Sequence, residues 1–199
     1  MPRTARFLQD DVCYHIMARG NRKQEIFKCD SDYKYYGRLL KGYKSRFDMA
    51  IYAFCFMPNH VHLILQPAET HMLPLFMKSL NQSYAQYFNS KYEKSGHLWQ
   101  GRFKSMVIAQ ENYLFDCIKY VEFNPVRSNL AQSPTDYPWS SCRLRIRGIK
   151  SPILDSFKSI LWGTSGQMTK RDTPKLERGT VPSGVKGLSL DDGAAPLTK

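Results

Sequence analysis

The strongest constraint on this chain is a pair of dense apolar runs, residues 49–57 and 60–66, parted only by Pro58-Asn59. Met49-Ala50-Ile51-Tyr52-Ala53-Phe54-Cys55-Phe56-Met57 reads as one strand, and His60-Val61-His62-Leu63-Ile64-Leu65-Gln66 as its hairpin partner. Side chains two residues apart on a strand share a face, so His60 and His62 can converge on one divalent ion. Their apolar neighbours anchor the strand in a core and so fix the geometry of the two imidazoles.

The flanking segments supply the other layers. Residues 11–18 alternate and are rich in Val, Tyr and Ile, which predicts a strand, and Arg19-Gly20-Asn21-Arg22 follows as a basic loop. Residues 31–47 repeat Tyr35, Tyr36, Leu39, Leu40 and Tyr43 at helical spacing, with Asp30 or Ser31 as the expected cap. Residues 72–92 place Leu73, Phe76, Met77, Leu80, Tyr84, Tyr87 and Phe88 on one stripe of an amphipathic helix. Residues 96–108 read as an extended stretch, a turn at Gly101 and a short strand. A helix over residues 111–123 carries Leu114, Ile118 and Val121 inward and stops at Asn124, ahead of Pro125. The order β-α-β-β-α-(β)-α predicts an α+β, ferredoxin-like split βαβ fold, with an antiparallel sheet backed by helices. One domain over residues 1–150 is expected, followed by an extension over 151–199. From about residue 163, Gly, Ser, Thr, Pro and Lys dominate without periodicity, so disorder is expected there.

Charge narrows the partners. Lys and Arg number 29 against 17 Asp and Glu, a net charge of +12 that suits a polyanion. Twelve tyrosines and eleven phenylalanines exceed the needs of a core this size. Cations interleaved with surplus aromatics fit single-stranded nucleic acid, whose phosphates need charge and whose bases need stacking platforms. No apolar run approaches the roughly 18–20 residues of a membrane span, so no membrane partner is expected. Five widely spaced cysteines without a CxxC pair support neither a disulfide framework nor a zinc ribbon. Reduced thiols in a cytoplasmic protein are the expectation.

A histidine-x-histidine pair alone is a weak signal. It gains weight from the Pro-Asn break before it, from the basic charge, and from Tyr120 and Asn124, one helical turn apart. Two imidazoles, a phenol and an amide oxygen are parts from which a phosphodiester could be cut by a protein nucleophile.

The segment Met57-Pro58-Asn59-His60-Val61-His62-Leu63-Ile64 resembles the histidine–hydrophobic–histidine motif of the single-tyrosine HUH (IS200-like) transposases. Trp99-Gln100-Gly101-Arg102-Phe103, Tyr120-Val121-Glu122-Phe123-Asn124-Pro125-Val126-Arg127 and Asp136-Tyr137-Pro138-Trp139-Ser140-Ser141 resemble later segments of that family. The likeness is strongest to the REP-associated tyrosine transposases and runs from about residue 2 to 147. It implies that His60, His62 and Asn124 hold Mg²⁺ or Mn²⁺ and that Tyr120 is the nucleophile. Tyr113, the nearest competitor, has no Asn four residues on. The implied product is a 5′-phosphotyrosine beside a free 3′-hydroxyl, and the implied substrate is single-stranded DNA next to a hairpin. A monomer or a homodimer would suit, in a bacterial cytoplasm and on the nucleoid when bound to DNA.

Arg19, Arg22, Arg102, Lys104 and Arg127 are the expected backbone contacts, with Trp99 and Phe103 as candidate stacking rings. For Trp99 a core anchor is the competing assignment. Trp139 is expected to be structural, and His15, His71 and His97, lacking a partner pattern, to be ordinary. Two other classes remain open at this point. One is a phosphoesterase that activates water through the histidine pair. The other is a non-catalytic ferredoxin-like nucleic-acid-binding module, which gives neither spacing a role.

Overall fold

The computed structural model describes residues 9–157; the expected disorder beyond residue 163 lies outside them. Four strands, β1 (Cys13–Arg19), β2 (Met49–Met57), β3 (His60–Pro67) and β4 (Lys104–Ile108), form one antiparallel sheet in the order β2-β3-β1-β4. Helices α1 (Asp30–Arg46) and α2 (Met72–Lys91) connect β1 to β2 and β3 to β4, which gives the split βαβ topology.

The hairpin forms where Pro58-Asn59 interrupts the apolar run, with Met57 opposite His60. Every residue of β3 is buried, because the sheet is covered on both faces. Val61, Leu63 and Leu65 join the core beneath α1 and α2, with Phe76, Tyr84 and Tyr36. Ile64 joins a second core beneath α3 (Glu111–Glu122), with Leu114, Ile118 and Val121. The β2–β3 register shifts between Ile51 and Ala53. This bulge puts Tyr52 and Ala53 successively on the α3 face, and alternation then delivers Cys55 and Met57 there as well.

The outer edge of β2 is not left open. Phe56 N–H donates to the Trp139 carbonyl at 2.9 Å, and Ser141 N–H donates to the Phe54 carbonyl at 2.9 Å. Asp155 N–H donates to the Ile51 carbonyl at 2.8 Å. Phe157 stacks on Tyr52. Residues 151–157 therefore dock on the sheet edge, although the sequence assigned them to an extension. Their attachment depends on backbone groups of β2 that carry no sequence signature.

The α1 cap also differs from expectation. Cys29 is the N-cap, because the fully buried Asp32 carboxylate turns back to accept from the Lys28 and Cys29 N–H groups, at 2.8 and 3.2 Å. Lys91, Tyr87 and Tyr92 at the far end of α2 donate to the same carboxylate, tying the two helices together. Among the described residues, no helix is long and apolar enough to cross a membrane.

Candidate functional site

The site lies where the second core meets the end of the hairpin. On β3, His60 and His62 face α3 with their ring centroids 4.9 Å apart. They are 7% and 1% exposed. The shared face predicted from the strand period is present. Tyr120, near the C-terminal end of α3, packs perpendicular to the His62 ring in a T-shaped pair, with centroids 6.2 Å apart. All three residues belong to one chain.

Two devices hold the tyrosine helix in place. Its last residue, Glu122, is 4% exposed and accepts from Ser141 Oγ at 2.6 Å and Arg145 Nε at 3.1 Å. Burial makes this carboxylate an anchor rather than a solvated surface charge. Beyond it the chain does not leave the helical region at Asn124 as expected. Phe123 keeps helical angles, and a short helix α4 (Asn124–Arg127) follows with Pro125 in its first turn, where a missing N–H is harmless.

That turn brings Arg127 back over Tyr120, with the guanidinium carbon 4.0 Å from the ring centroid. The same guanidinium donates to the Tyr120 carbonyl and, at 3.3 Å, to Asn124 Oδ1. Arg127 thus stacks on the phenol while joining it to the buried Asn124 amide.

His15, expected to be ordinary, belongs to this cluster. It is 5% exposed, its Nε2 lies 2.8 Å from His62 Nδ1, and the two rings stack. Its centroid is 5.9 Å from that of Tyr120. No local pattern could have exposed it, because it meets His62 only through the pairing of β1 with β3. Burial lowers the His15 pKa to about 4. Burial, then the neighbouring His60, His15, Arg127 and Arg19, also hold His62 well below the ordinary histidine range. Both imidazoles are therefore neutral at physiological pH, the form in which histidine binds metals.

The donor set fits a divalent cation in its imidazoles. His62 Nε2 is buried with no hydrogen-bond partner, as a ligand atom awaiting an ion would be. Asn124 Oδ1 already accepts from Arg127, but a carbonyl oxygen has a second lone pair. Among the described residues there is no group of three or more His, Cys, Asp or Glu side chains placed to hold a metal, so an amide oxygen would have to complete this set.

The expected DNA contacts divide. Arg22, Arg102 and Lys104 are exposed and Arg19 is partly so. Arg19 pairs with His60 across the sheet, and Lys104 pairs with Met17, itself opposite His62, so these two cations lie at the histidine end of the sheet. Phe103 is 8% exposed in the α1–α2 core, which corrects its candidacy as a stacking platform. Trp99 is half-buried, donates from Nε1 to the Asn81 carbonyl at 2.8 Å and packs near Tyr36 and Tyr84, as a core anchor would. Aromatic excess in the sequence did not distinguish packing rings from exposed ones. Trp139 stacks on Tyr33 and is structural, as expected.

Fold and site together define an α+β protein with a histidine-x-histidine strand facing a tyrosine-bearing helix. The profile of the transposase IS200-like family matches residues 9–124, more than half of the chain, and this chain belongs to that family. A Haemophilus influenzae protein, provisionally named a REP-associated tyrosine transposase, is 29% identical over 112 residues. The match covers 51% of this chain and 61% of that relative, so the chain spans about three fifths of its length. A solved REP-associated tyrosine transposase bound to a REP hairpin shares the fold. Its TM-score is 0.59 at 17% identity, covering 85% of this chain and 99% of that one.

Proposed function

We propose that this chain is a metal-dependent endonuclease and strand transferase acting on single-stranded DNA beside a hairpin, with Tyr120 as its nucleophile. The observation that carries this reading is the Tyr120 ring packed perpendicular to His62 within the same chain. The cations Arg19, Arg22, Arg102 and Lys104 suit the DNA backbone, and the hairpin in the solved relative suggests the form of the substrate.

His60, His62 and Asn124 would hold Mg²⁺ or Mn²⁺, which when bound polarises the scissile phosphate and neutralises charge in an in-line transition state. Tyr120 Oη forms a bond to phosphorus as the bond from phosphorus to O3′ breaks. The phenol gives up its proton, and the 3′ oxygen leaves as a hydroxyl. Phenols are weak nucleophiles at neutral pH and need such help. Arg127, stacked on the ring and bonded to the backbone of Tyr120, holds the phenol in place and offers a cation to the attacked phosphate. The phosphotyrosine bond conserves the energy of the phosphodiester, so a free 3′-hydroxyl can reverse the step and transfer the strand. With Tyr120 and the histidine pair together in one chain, a monomer would suffice.

Incubating the protein with labelled hairpin-bearing single-stranded DNA and Mn²⁺ should give a denaturation-resistant adduct that maps to Tyr120 by mass spectrometry. Tyr120→Phe should abolish it. Cleavage that persists in Tyr120→Phe would sink the proposal in favour of activated water. DNA binding without scission would reduce the chain to a binding module.

A further inference from the structure

Both histidines of the pair have Nδ1 held by a residue outside the proposed ligand set. Asn59, in the hairpin turn, has its amide fixed at both ends. Its Nδ2 donates to the Lys23 carbonyl at 3.3 Å, which leaves Oδ1 facing His60 Nδ1 at 2.5 Å. An amide oxygen carries no proton, so Nδ1 of His60 must be the donor. Asn59 is itself tethered, since its carbonyl accepts from Gly20 N–H at 2.8 Å.

On the other side, His15 Nε2 contacts His62 Nδ1 at 2.8 Å. If His15 were the donor, His62 would carry its proton on Nε2, a buried atom with no acceptor in reach. A buried, orphaned N–H is strongly disfavoured. With His62 donating from Nδ1, Nε2 becomes a bare lone pair instead. His15 is held rigidly for this task, between Ile64 and Met106 in the sheet register.

We infer that His15 and Asn59 are positioning residues that lock His62 and His60 in the Nδ1–H tautomer, so that both Nε2 lone pairs are presented to a cation. The inference rests on the metal-dependent reading above. It gives work to one histidine and one turn residue that contact no proposed substrate. The tautomer of a ligand histidine is set by the partner of its other nitrogen, and that partner holds the ring in plane.

The direct test is long-range ¹H–¹⁵N NMR of the metal-free full-length chain above pH 7. Both His60 and His62 should be Nδ1–H, opposite to the preference of histidine in water. Finding either ring chiefly as Nε2–H overturns the inference, and this readout does not depend on any variant folding. A second arm follows Mn²⁺ binding by calorimetry. His15→Phe and Asn59→Leu, folded by circular dichroism, should each weaken binding about 10-fold or more. His15→Gln, whose amide oxygen can still accept from His62, should stay within about threefold of wild type. Wild-type affinity in His15→Phe overturns the inference while leaving the proposed function standing. A wild-type protein with the expected tautomers that binds no Mn²⁺ overturns both, because the locked lone pairs would then serve no ion.

Discussion

Gly20 offers the sharpest test of how the hairpin turn is held, and hence of how Asn59 reaches His60. Its backbone angles, φ −63° and ψ 143°, are open to any residue, so glycine is not required there for conformational freedom. It is required for space. A Cβ at this position would lie 2.3 Å from the Gln24 carbonyl oxygen, 2.9 Å from Ile26 Cγ2 and 3.3 Å from the Asn59 carbonyl oxygen. Two of those three atoms are backbone, so no side-chain rotation relieves the clash. The loop after β1 must instead lift away from the turn, straining the Gly20–Asn59 and Ile26–Pro58 hydrogen bonds, each 2.8 Å long. Overpacking of this kind costs about 1–3 kcal/mol. Losing one turn-to-loop hydrogen bond adds about 1 kcal/mol. Gly20→Ala should therefore destabilise the fold by about 3 kcal/mol, lowering the melting temperature by roughly 6–12 °C for a chain of this size. Urea titration followed by circular dichroism measures it. Gly42→Ala is the matched control, since the same methyl group meets nothing within 4 Å on the exposed side of α1. It should stabilise by about 0.5–1 kcal/mol. A Gly20→Ala protein within about 0.5 kcal/mol of wild type would refute the packing argument.

Glu122→Ala should cost about 3 kcal/mol in the same titration, because it strips Ser141 and Arg145 of their buried acceptor; Glu122→Gln should recover part of it. A loss below about 1 kcal/mol would mean that the carboxylate does not anchor α3. The pH dependence of stability has a definite sign. The folded pKa of His15, about 4, lies below the ordinary 6.5, so the unfolded chain binds the extra proton between those values. Stability should therefore be lost as the pH is lowered across that window, His15 contributing up to about 1.4 kcal/mol per pH unit and His62 acting in the same direction. His15→Gln should flatten the curve, and parallel curves for the two proteins would contradict the assignment. Phe103→Ala should destabilise by about 3–5 kcal/mol, as a core truncation does. Lys104→Ala, at an exposed position, should instead keep its melting temperature and bind single-stranded DNA more weakly in a filter-binding assay. Reversed outcomes would show that the burial of Phe103 was misjudged.

The strand hairpin, both connecting helices and the shared face of His60 and His62 were legible from the chain because each depends on local periodicity. A Pro-Asn break between apolar runs leaves few alternatives to a hairpin, and a period of two leaves none for which side chains lie together. Tyr120 and Asn124 were likewise marked by helical spacing and by resemblance. What spacing could not provide was the pairing of β1 beside β3, which sets His15 on His62. It also could not show the return of residues 139–157 to the β2 edge, which buries Glu122, nor the inward turn of Phe103. Periodicity is a property of neighbours in sequence, so it fixes which face of an element a residue occupies. Which residues of other elements meet that face depends on sheet order and on the burial of distant apolar surface. Only the assembled tertiary structure decided that.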